Sequence, residues 1–326
     1  MNCIGLYGLL LLLHLLLLFN NGAPQAIIKS LPGYSGPCRF GVETFDGSLP
    51  SIILNPYSWT KVANIIFIDA PVGTGFSYAN TSQGYSSSDI KSAKDIFTFL
   101  RKWLLNHPIF IKNRLYISGE SYGGKLVPLV AMEILRGNKA RLQPQMSFQG
   151  YIIGNGLTDP NIDFNARIPY VHRMTLISDE YFENLDYTIS ENWANDPIVQ
   201  EALYIRKGTI ARWRMCNDGI SYEPNVESAL KYHKILIKKG YHVLVFNGDH
   251  DMAAPYMGPL KWIRILNLTI DDNWRPWLVN GQVAGYTEKY KKNDFDLTFG
   301  AGHSAPKDKP EECLAMFHRW LSRRPL

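Results

Sequence analysis

Apolar segments of two kinds alternate along the chain. Short runs rich in β-branched and aromatic residues predict buried strands, whereas longer segments with apolar residues three or four positions apart predict amphipathic helices. The predicted strands span residues 63–70, 114–118, 147–156, 241–249 and 294–299. The predicted helices span residues 88–107, 125–137 and 311–321. An Asn280-Gly281 pair between two further apolar runs predicts a tight hairpin.

Strands that alternate with helices favour an α/β fold, in which helices flank both faces of a mostly parallel sheet. The chain has 326 residues, which suits one large domain, and no change in composition marks a second one. In parallel sheets, functional side chains gather on the loops that follow the carboxyl ends of the strands. We therefore expect the chemistry of this protein on the loops after the predicted strands.

The N-terminus carries a hydrophobic segment of a different kind. Residues 9–19 are apolar except for one histidine, and this run is too short to cross a bilayer comfortably. It predicts a signal peptide over residues 1–23, which leaves residues 24–326 as one domain; an uncleaved anchor is the alternative. Two sequons, at Asn80 and Asn267, agree with secretory entry and predict glycosylation. We expect an extracellular or vacuolar protein with no membrane attachment after cleavage.

Charge and cysteine content exclude several classes of protein. The formal net charge is +5, and the basic residues are spread along the chain, so no nucleic-acid partner is expected. No residues have the spacing of metal ligands. Three cysteines lie outside the predicted signal peptide: Cys38, Cys216 and Cys313. An odd number in an oxidising compartment leaves at least one of them without an internal partner. None of these features indicates an oligomeric state.

The sequence Gly119-Glu120-Ser121-Tyr122-Gly123 fits the pattern G-x-S-x-G between a predicted strand and a predicted helix. This is the context of a nucleophile elbow, in which a sharp turn exposes the serine above the edge of the sheet. The pattern therefore predicts Ser121 as a nucleophile. Residues 119–125 also fit the start of a phosphate-binding loop, but Leu126 follows where such a loop needs Ser or Thr. We expect no nucleotide or metal cofactor.

A nucleophilic serine needs a base and an acid that orients the base. Asp249 and Asp251 follow the predicted strand 241–249, and His303 follows the predicted strand 294–299 on a glycine-flanked loop. The order Ser, Asp, His along the chain is the order found in α/β-hydrolases. The sequence thus predicts a triad of Ser121, His303 and one of the two aspartates.

With these residues identified, the chain resembles the plant serine carboxypeptidase-like family of α/β-hydrolases. The resemblance rests on LPGYSGP, NPYSWTKVANIIFIDAPVGTGFSYA, GESYGGKLVP, GDHDMAAP, WLVNGQVAGYT and GHSAPKDKPEECLAMFHRWLS, and it covers nearly all of the chain after the signal peptide. It implies that Ser121 is the nucleophile, His303 the base and Asp251 the orienting acid. It also implies that the backbone N–H of Tyr122 is one oxyanion donor.

The family contains two chemistries that share this triad. Carboxypeptidases hydrolyse the last peptide bond of a peptide, and acyltransferases pass an acyl group from a glucose ester to another hydroxyl. Glu120, directly before the serine, resembles the peptidases, in which this residue helps to bind the terminal carboxylate of the substrate. Residues 168–182 and 274–287 are more similar to the acyltransferase clade. The peptidase function is the favoured interpretation, and the acyltransferase function is the alternative.

The chain also departs from the family. Residues 41–61 run directly between two segments that the family separates by several tens of residues, which carry early strands and the GGPGCS loop with the second oxyanion donor. The resemblance thus implies truncated early strands and a Cys216 that has lost its usual partner. The cap insertion, at about 160–215, is reduced as well. A third interpretation is therefore an inactive truncated paralogue or an incomplete gene model.

Overall fold

The computed structural model describes residues 12–18, 40–42, 52–167, 170, 193–205, 208, 212–213, 222–291, 293–298 and 300–326. The strands in this part of the chain are β1 (Leu12–Leu18), β2 (Phe40–Val42), β3 (Ile52–Leu54), β4 (Asn64–Asp69), β5 (Ser87–Ser88), β6 (Leu115–Glu120), β7 (Phe148–Gly154), β8 (Tyr222–Glu223), β9 (His242–Gly248), β10 (Ile270–Val279), β11 (Gln282–Tyr290) and β12 (Asn293–Thr298). The helices are α1 (Asp89–Asn106), α2 (Gly123–Lys139), α3 (Pro160–Asn165), α4 (Pro197–Ala202), α5 (Leu230–Lys238), α6 (Met257–Ile265), α7 (Ala305–Asp308) and α8 (Pro310–Leu321).

The largest sheet has six strands in the order β10-β11-β12-β9-β7-β6. Strands β6, β7, β9 and β12 are parallel to one another, and the β10–β11 hairpin adds two antiparallel strands at one edge. The hairpin turns at Asn280 and Gly281, both with positive φ, as the sequence predicts. The mostly parallel sheet confirms the predicted α/β class.

Both faces of this sheet are covered, because alternate residues of the central strands pack into different clusters. Ile117 and Ile153 face a cluster to which α1, α2, α5 and α6 contribute, and Tyr116 and Ile152 face a cluster built around α8. All four side chains are almost fully buried. Burial on both faces explains why these strands are continuous apolar runs rather than alternating ones.

The early part of the chain forms smaller pairings. Strand β2 pairs with β3 in a separate antiparallel ribbon. Strand β1, which lies within the predicted signal peptide, pairs with β4 in antiparallel register and lies beside β6. Cleavage of residues 1–23 stays a prediction. Of the predicted cap, α3, α4 and a few further positions are described, and Cys38 and Cys216 lie outside the described residues.

Candidate active site

Ser121 lies in the sharp turn between β6 and α2. Its φ is 56°, a left-handed conformation that is uncommon for a residue with a side chain. The turn is fixed by three backbone hydrogen bonds: Ser121 N donates to Gly154 O (3.0 Å), and Ser121 O accepts from Gly124 N (3.0 Å) and Leu157 N (2.8 Å). A Cβ at Gly124 would lie 2.6 Å from the Leu157 backbone, so this position requires glycine. The local geometry is that of a nucleophile elbow.

His303 joins Ser121 to Asp251 through two hydrogen bonds. The distance from His303 Nε2 to Ser121 Oγ is 3.1 Å, and the distance from His303 Nδ1 to Asp251 Oδ2 is 2.8 Å. The Asp251 side chain is fully buried, whereas 24% of the His303 side chain is exposed. The structure therefore brings together the three side chains that the sequence predicts as a triad, with the histidine accessible from solvent.

Asp251 is held by donors on both of its oxygens. Oδ1 accepts from the backbone N–H groups of Ala253 (2.8 Å) and Ala254 (3.1 Å), and Oδ2 accepts from Asn155 Nδ2 (2.7 Å) as well as from His303. Burial alone would raise the pKa of Asp251, but the charge of His303 and these hydrogen bonds hold it below its ordinary value. The carboxylate is thus ionised and fixed in orientation.

Asp249, the other candidate acid, has a different environment. Its Oδ1 accepts from the backbone N–H of Ala301 (3.0 Å), and its backbone carbonyl accepts from the Tyr170 hydroxyl (2.9 Å). The backbone N–H of His250 also donates to Ala301 O (2.9 Å). These contacts tie the loop after β9 to the loop that carries His303. Of the two aspartates, Asp251 is the one hydrogen-bonded to the histidine.

Glu120 lies beside the triad and is partly protonated near neutral pH. Burial, together with the charges of Asp251 and Asp308, raises the pKa of Glu120 to about 7 against the opposing effect of His303. Its Oε1 is buried and has no hydrogen-bond partner among the described residues. The hydrogen-bonding capacity of this oxygen is thus unsatisfied within the described residues.

The pKa of His303 depends on the same acids. Burial disfavours the imidazolium, but the charge and hydrogen bond of Asp251, with the charge of Glu120, raise the pKa of His303 to about 9. Arg167, which follows α3, opposes this shift with its own positive charge. The neutral form that a base needs is therefore favoured when Glu120 is protonated or when its charge is compensated.

The backbone N–H of Tyr122 follows the serine and precedes α2. It makes no hydrogen bond in the part of the chain that the structure describes. The N-terminal end of a helix also carries a partial positive charge. This N–H can therefore donate to a ligand oxygen that carries negative charge beside Ser121.

Two residues near the triad have no sequence signal of their own. Asn155 donates to Asp251 and, at 3.2 Å, to the carbonyl of Gly302 next to His303. Arg167 Nε donates to Ala253 O at 3.1 Å, in the loop that binds Asp251. Neither could be predicted from the sequence, because an asparagine at the end of a strand and an arginine after a short helix are common.

Other predicted features lie away from this site. Asn80 and Asn267 of the two sequons are both exposed, and Cys313 is fully buried on α8. Among the described residues, no three side chains of His, Cys, Asp or Glu are grouped as metal ligands. None of the helices in this part of the chain is long and apolar enough to cross a membrane.

Comparisons with known proteins agree with this fold. The chain is 39% identical to serine carboxypeptidase-like 17 and to serine carboxypeptidase-like 7 of Arabidopsis thaliana, over 95% of its own length and 83% of theirs. The alignment with the former spans 364 positions; since 95% of 326 residues is about 310, about 54 of those positions have no counterpart here. This difference agrees with the absence of internal segments that the resemblance to the family implies.

A solved structure gives the same architecture. Kex1(Δ)p, a prohormone-processing carboxypeptidase from Saccharomyces cerevisiae, superposes with a TM-score of 0.72, at 20% identity, over 84% of this chain and 77% of its own. This likeness confirms the α/β-hydrolase fold. The family profile described as serine carboxypeptidase matches residues 33–192 and 184–323, which together cover most of the chain. The chain therefore belongs to the serine carboxypeptidase family.

Proposed function

We propose that this protein is a serine hydrolase of the carboxypeptidase type, which releases the last amino acid of a peptide through an acyl-enzyme on Ser121. The observation that carries the proposal is the chain of hydrogen bonds from Ser121 Oγ through His303 to Asp251. This constellation is recognised by its geometry and by the role of each group. No cofactor is needed for this chemistry.

In the proposed reaction, Ser121 Oγ attacks the carbonyl carbon of the last peptide bond, and its proton passes to His303 Nε2. Asp251 stabilises the imidazolium, and the N–H of Tyr122 donates to the oxyanion. His303 then gives the proton to the leaving amine, so that the C–N bond breaks and an ester of Ser121 remains. Water then loses a proton to His303 and attacks this ester; the bond between Ser121 Oγ and the acyl carbon breaks, His303 returns the proton to Ser121 Oγ, and the shortened peptide leaves.

Substrate binding is assigned to Glu120. When protonated, its carboxyl group can donate a hydrogen bond to a substrate carboxylate, and its raised pKa keeps a fraction protonated near neutral pH. The positive charge of Arg167 lies close enough to affect His303 and favours an anionic ligand. A peptide C-terminus is therefore the proposed substrate class.

The acyltransferase alternative differs in the group that attacks the acyl-enzyme, an alcohol instead of water. One of the two segments that resemble the acyltransferase clade, residues 274–287, lies on the β10–β11 hairpin. Three strands separate this hairpin from β6 and the elbow. The resemblance of the hairpin therefore says little about which group attacks the acyl-enzyme. Glu120, by contrast, is next to Ser121, and it favours the peptidase function.

The missing GGPGCS loop predicts slow turnover. The loss of one oxyanion donor lowers turnover by roughly a hundredfold to a thousandfold in other enzymes. We therefore expect a weak catalyst in which the N–H of Tyr122 is the main identified donor. If turnover falls to zero, the protein is the inactive paralogue.

Two assays test the proposal. The purified protein should release a C-terminal amino acid from an N-blocked dipeptide, and Ser121→Ala should not. Acyl transfer from a glucose ester to an alcohol, without release from the dipeptide, would support the acyltransferase alternative. Neither reaction by a folded protein would support the inactive paralogue. The secretory expectation rests on the predicted signal peptide, and the two exposed sequon residues, Asn80 and Asn267, agree with it. A mass decrease on deglycosylation would support it.

A further inference from the structure

A buried carboxylate outside the triad connects three segments of the chain. Asp89, the first residue of α1, is fully buried. Its Oδ1 accepts from the hydroxyls of Tyr122 (2.7 Å) and Tyr222 (2.6 Å), and its Oδ2 accepts from the backbone N–H of Val226 (2.8 Å). We call these four residues the Asp89 cluster.

One member of the cluster belongs to the nucleophile elbow. Tyr122 directly follows Ser121, and its backbone N–H is the proposed oxyanion donor. Its side chain is buried, and its ring packs edge-on against the ring of Tyr222, with the centroids 6.0 Å apart. The ammonium of the buried Lys125 lies 5.4 Å from the Tyr122 ring centroid. The side chain of the residue that carries the oxyanion donor is therefore fixed on several sides.

The other members come from the segment that follows the cap. Tyr222 lies on β8, which pairs with β5 just before α1, and Val226 comes four residues later. Burial is the main cause that raises the pKa of both tyrosines above the ordinary value. Both hydroxyls therefore stay protonated and can donate hydrogen bonds. Asp89 thus holds the elbow, the start of α1 and the exit of the cap in one hydrogen-bonded group.

Stability alone does not explain a buried carboxylate at this point. A buried ionised group is costly unless hydrogen bonds satisfy it, and well-packed apolar side chains are often as stabilising as a buried ionic group. Three donors satisfy Asp89, and two of them are side chains that have no other part in the mechanism. The hydrogen bonds instead fix the position of the elbow and of the segment 222–226 relative to the start of α1, because each bond sets the distance between two of these segments.

We propose that the Asp89 cluster is a positioning device, which fixes the backbone of Tyr122 for oxyanion binding and couples it to the segment that follows the predicted cap. This inference rests on the proposed serine-hydrolase function. The cluster is important here because the GGPGCS loop is missing and the N–H of Tyr122 is the main identified oxyanion donor. A small displacement of that N–H would then slow the attack by Ser121.

Tyr222→Phe tests this role, because it removes one donor and keeps the ring. A fluorophosphonate probe forms a tetrahedral phosphonyl ester with the serine, so its maximal labelling rate and its binding constant can be measured separately. We expect the maximal rate to fall by about tenfold, with the binding constant unchanged. Tyr122→Phe should have a similar effect, and it serves as the second variant if Tyr222→Phe does not fold.

Tyr290→Phe is the matched control. It removes a tyrosine hydroxyl that is hydrogen-bonded to Glu288 on β11, which three strands separate from β6. Its maximal labelling rate should equal that of the wild type. A merely structural role of Tyr222 would lower the midpoint of thermal unfolding or the labelled fraction, and leave the maximal rate of the folded protein unchanged.

The outcomes separate the two proposals. A labelled wild type with slower Tyr222→Phe and unchanged Tyr290→Phe supports the positioning role. If Tyr222→Phe and Tyr122→Phe are labelled at the wild-type maximal rate, the positioning role is wrong and the hydrolase proposal stands. If the folded wild type is not labelled, the hydrolase proposal fails, and the inference built on it fails as well.

Discussion

Asn155 provides a sharp test of how Asp251, the acid of the proposed triad, is held. Its Nδ2 donates to Asp251 Oδ2 at 2.7 Å and to Gly302 O at 3.2 Å, so it links the loop after β7 to both the acid and the loop of the histidine. Its φ is 44°, in the left-handed region. Asn155→Ala and Asn155→Gly remove the same hydrogen bonds, but only alanine adds the steric cost of this conformation.

The size of the effect follows from these contacts. A hydrogen bond to a charged group contributes about 1.5–3 kcal/mol, which corresponds to roughly 10- to 150-fold in a rate if all of it is lost in the transition state. Asp251 keeps the backbone donors of Ala253 and Ala254 after either substitution. We therefore expect the lower end of this range, about a tenfold slower labelling of Ser121 by a fluorophosphonate in both variants.

The free energy of unfolding should differ between Asn155→Ala and Asn155→Gly, although their labelling rates should be similar. The left-handed conformation costs about 1–2 kcal/mol for a residue with a Cβ, so Asn155→Ala should be less stable than Asn155→Gly by about that amount. Labelling kinetics and chemical denaturation measure the two effects independently. Wild-type labelling rates in both folded variants would refute the role of Asn155 in holding Asp251.

Three further predictions concern the acids of the site and the N-terminus. His303 must be neutral to act as a base, and Glu120 raises its pKa, so Glu120→Gln should move the rise of the labelling rate to lower pH by about one pH unit; an unchanged pH profile would contradict this coupling. Asp251→Asn should slow labelling by about ten-thousandfold, whereas Asp249→Asn should mainly lower the midpoint of thermal unfolding. The reverse pattern would exchange the roles of the two aspartates. Mass spectrometry of the secreted protein should show an N-terminus near residue 24; an intact N-terminus would instead mean that β1 is retained beside β4.

The sequence predicts the sheet well, because burial on both faces leaves a strong apolar signal. The predicted strand 241–249 is observed as β9 (His242–Gly248), and the predicted helix 88–107 is observed as α1 (Asp89–Asn106). The tight hairpin is also found where an Asn-Gly pair predicts it. The order in which strands pair is harder to predict. The pairing of β1 with β4, for example, has no local pattern in the sequence.

Part of the candidate site could be predicted from the sequence. The elbow and the histidine loop have local patterns, so Ser121 and His303 could be named in advance. The choice between Asp249 and Asp251 could not be made from the pattern alone, because both follow the same strand and only the loop geometry directs one of them to the histidine. Asp89 looks like an ordinary acidic residue in the first turn of a helix, and its partners are 33 or more positions away in the sequence.

Covalent labelling of Ser121 is the most direct test of the proposed acyl-enzyme chemistry. The purified protein, shown to be folded by its cooperative thermal unfolding, would be treated with a fluorophosphonate and examined by intact-mass and peptide mass spectrometry beside Ser121→Ala. We predict a single adduct on Ser121 in the wild type and none in the variant. A folded wild type that acquires no adduct at Ser121 would contradict the proposal, because elbow, base and acid would then fail to activate the serine.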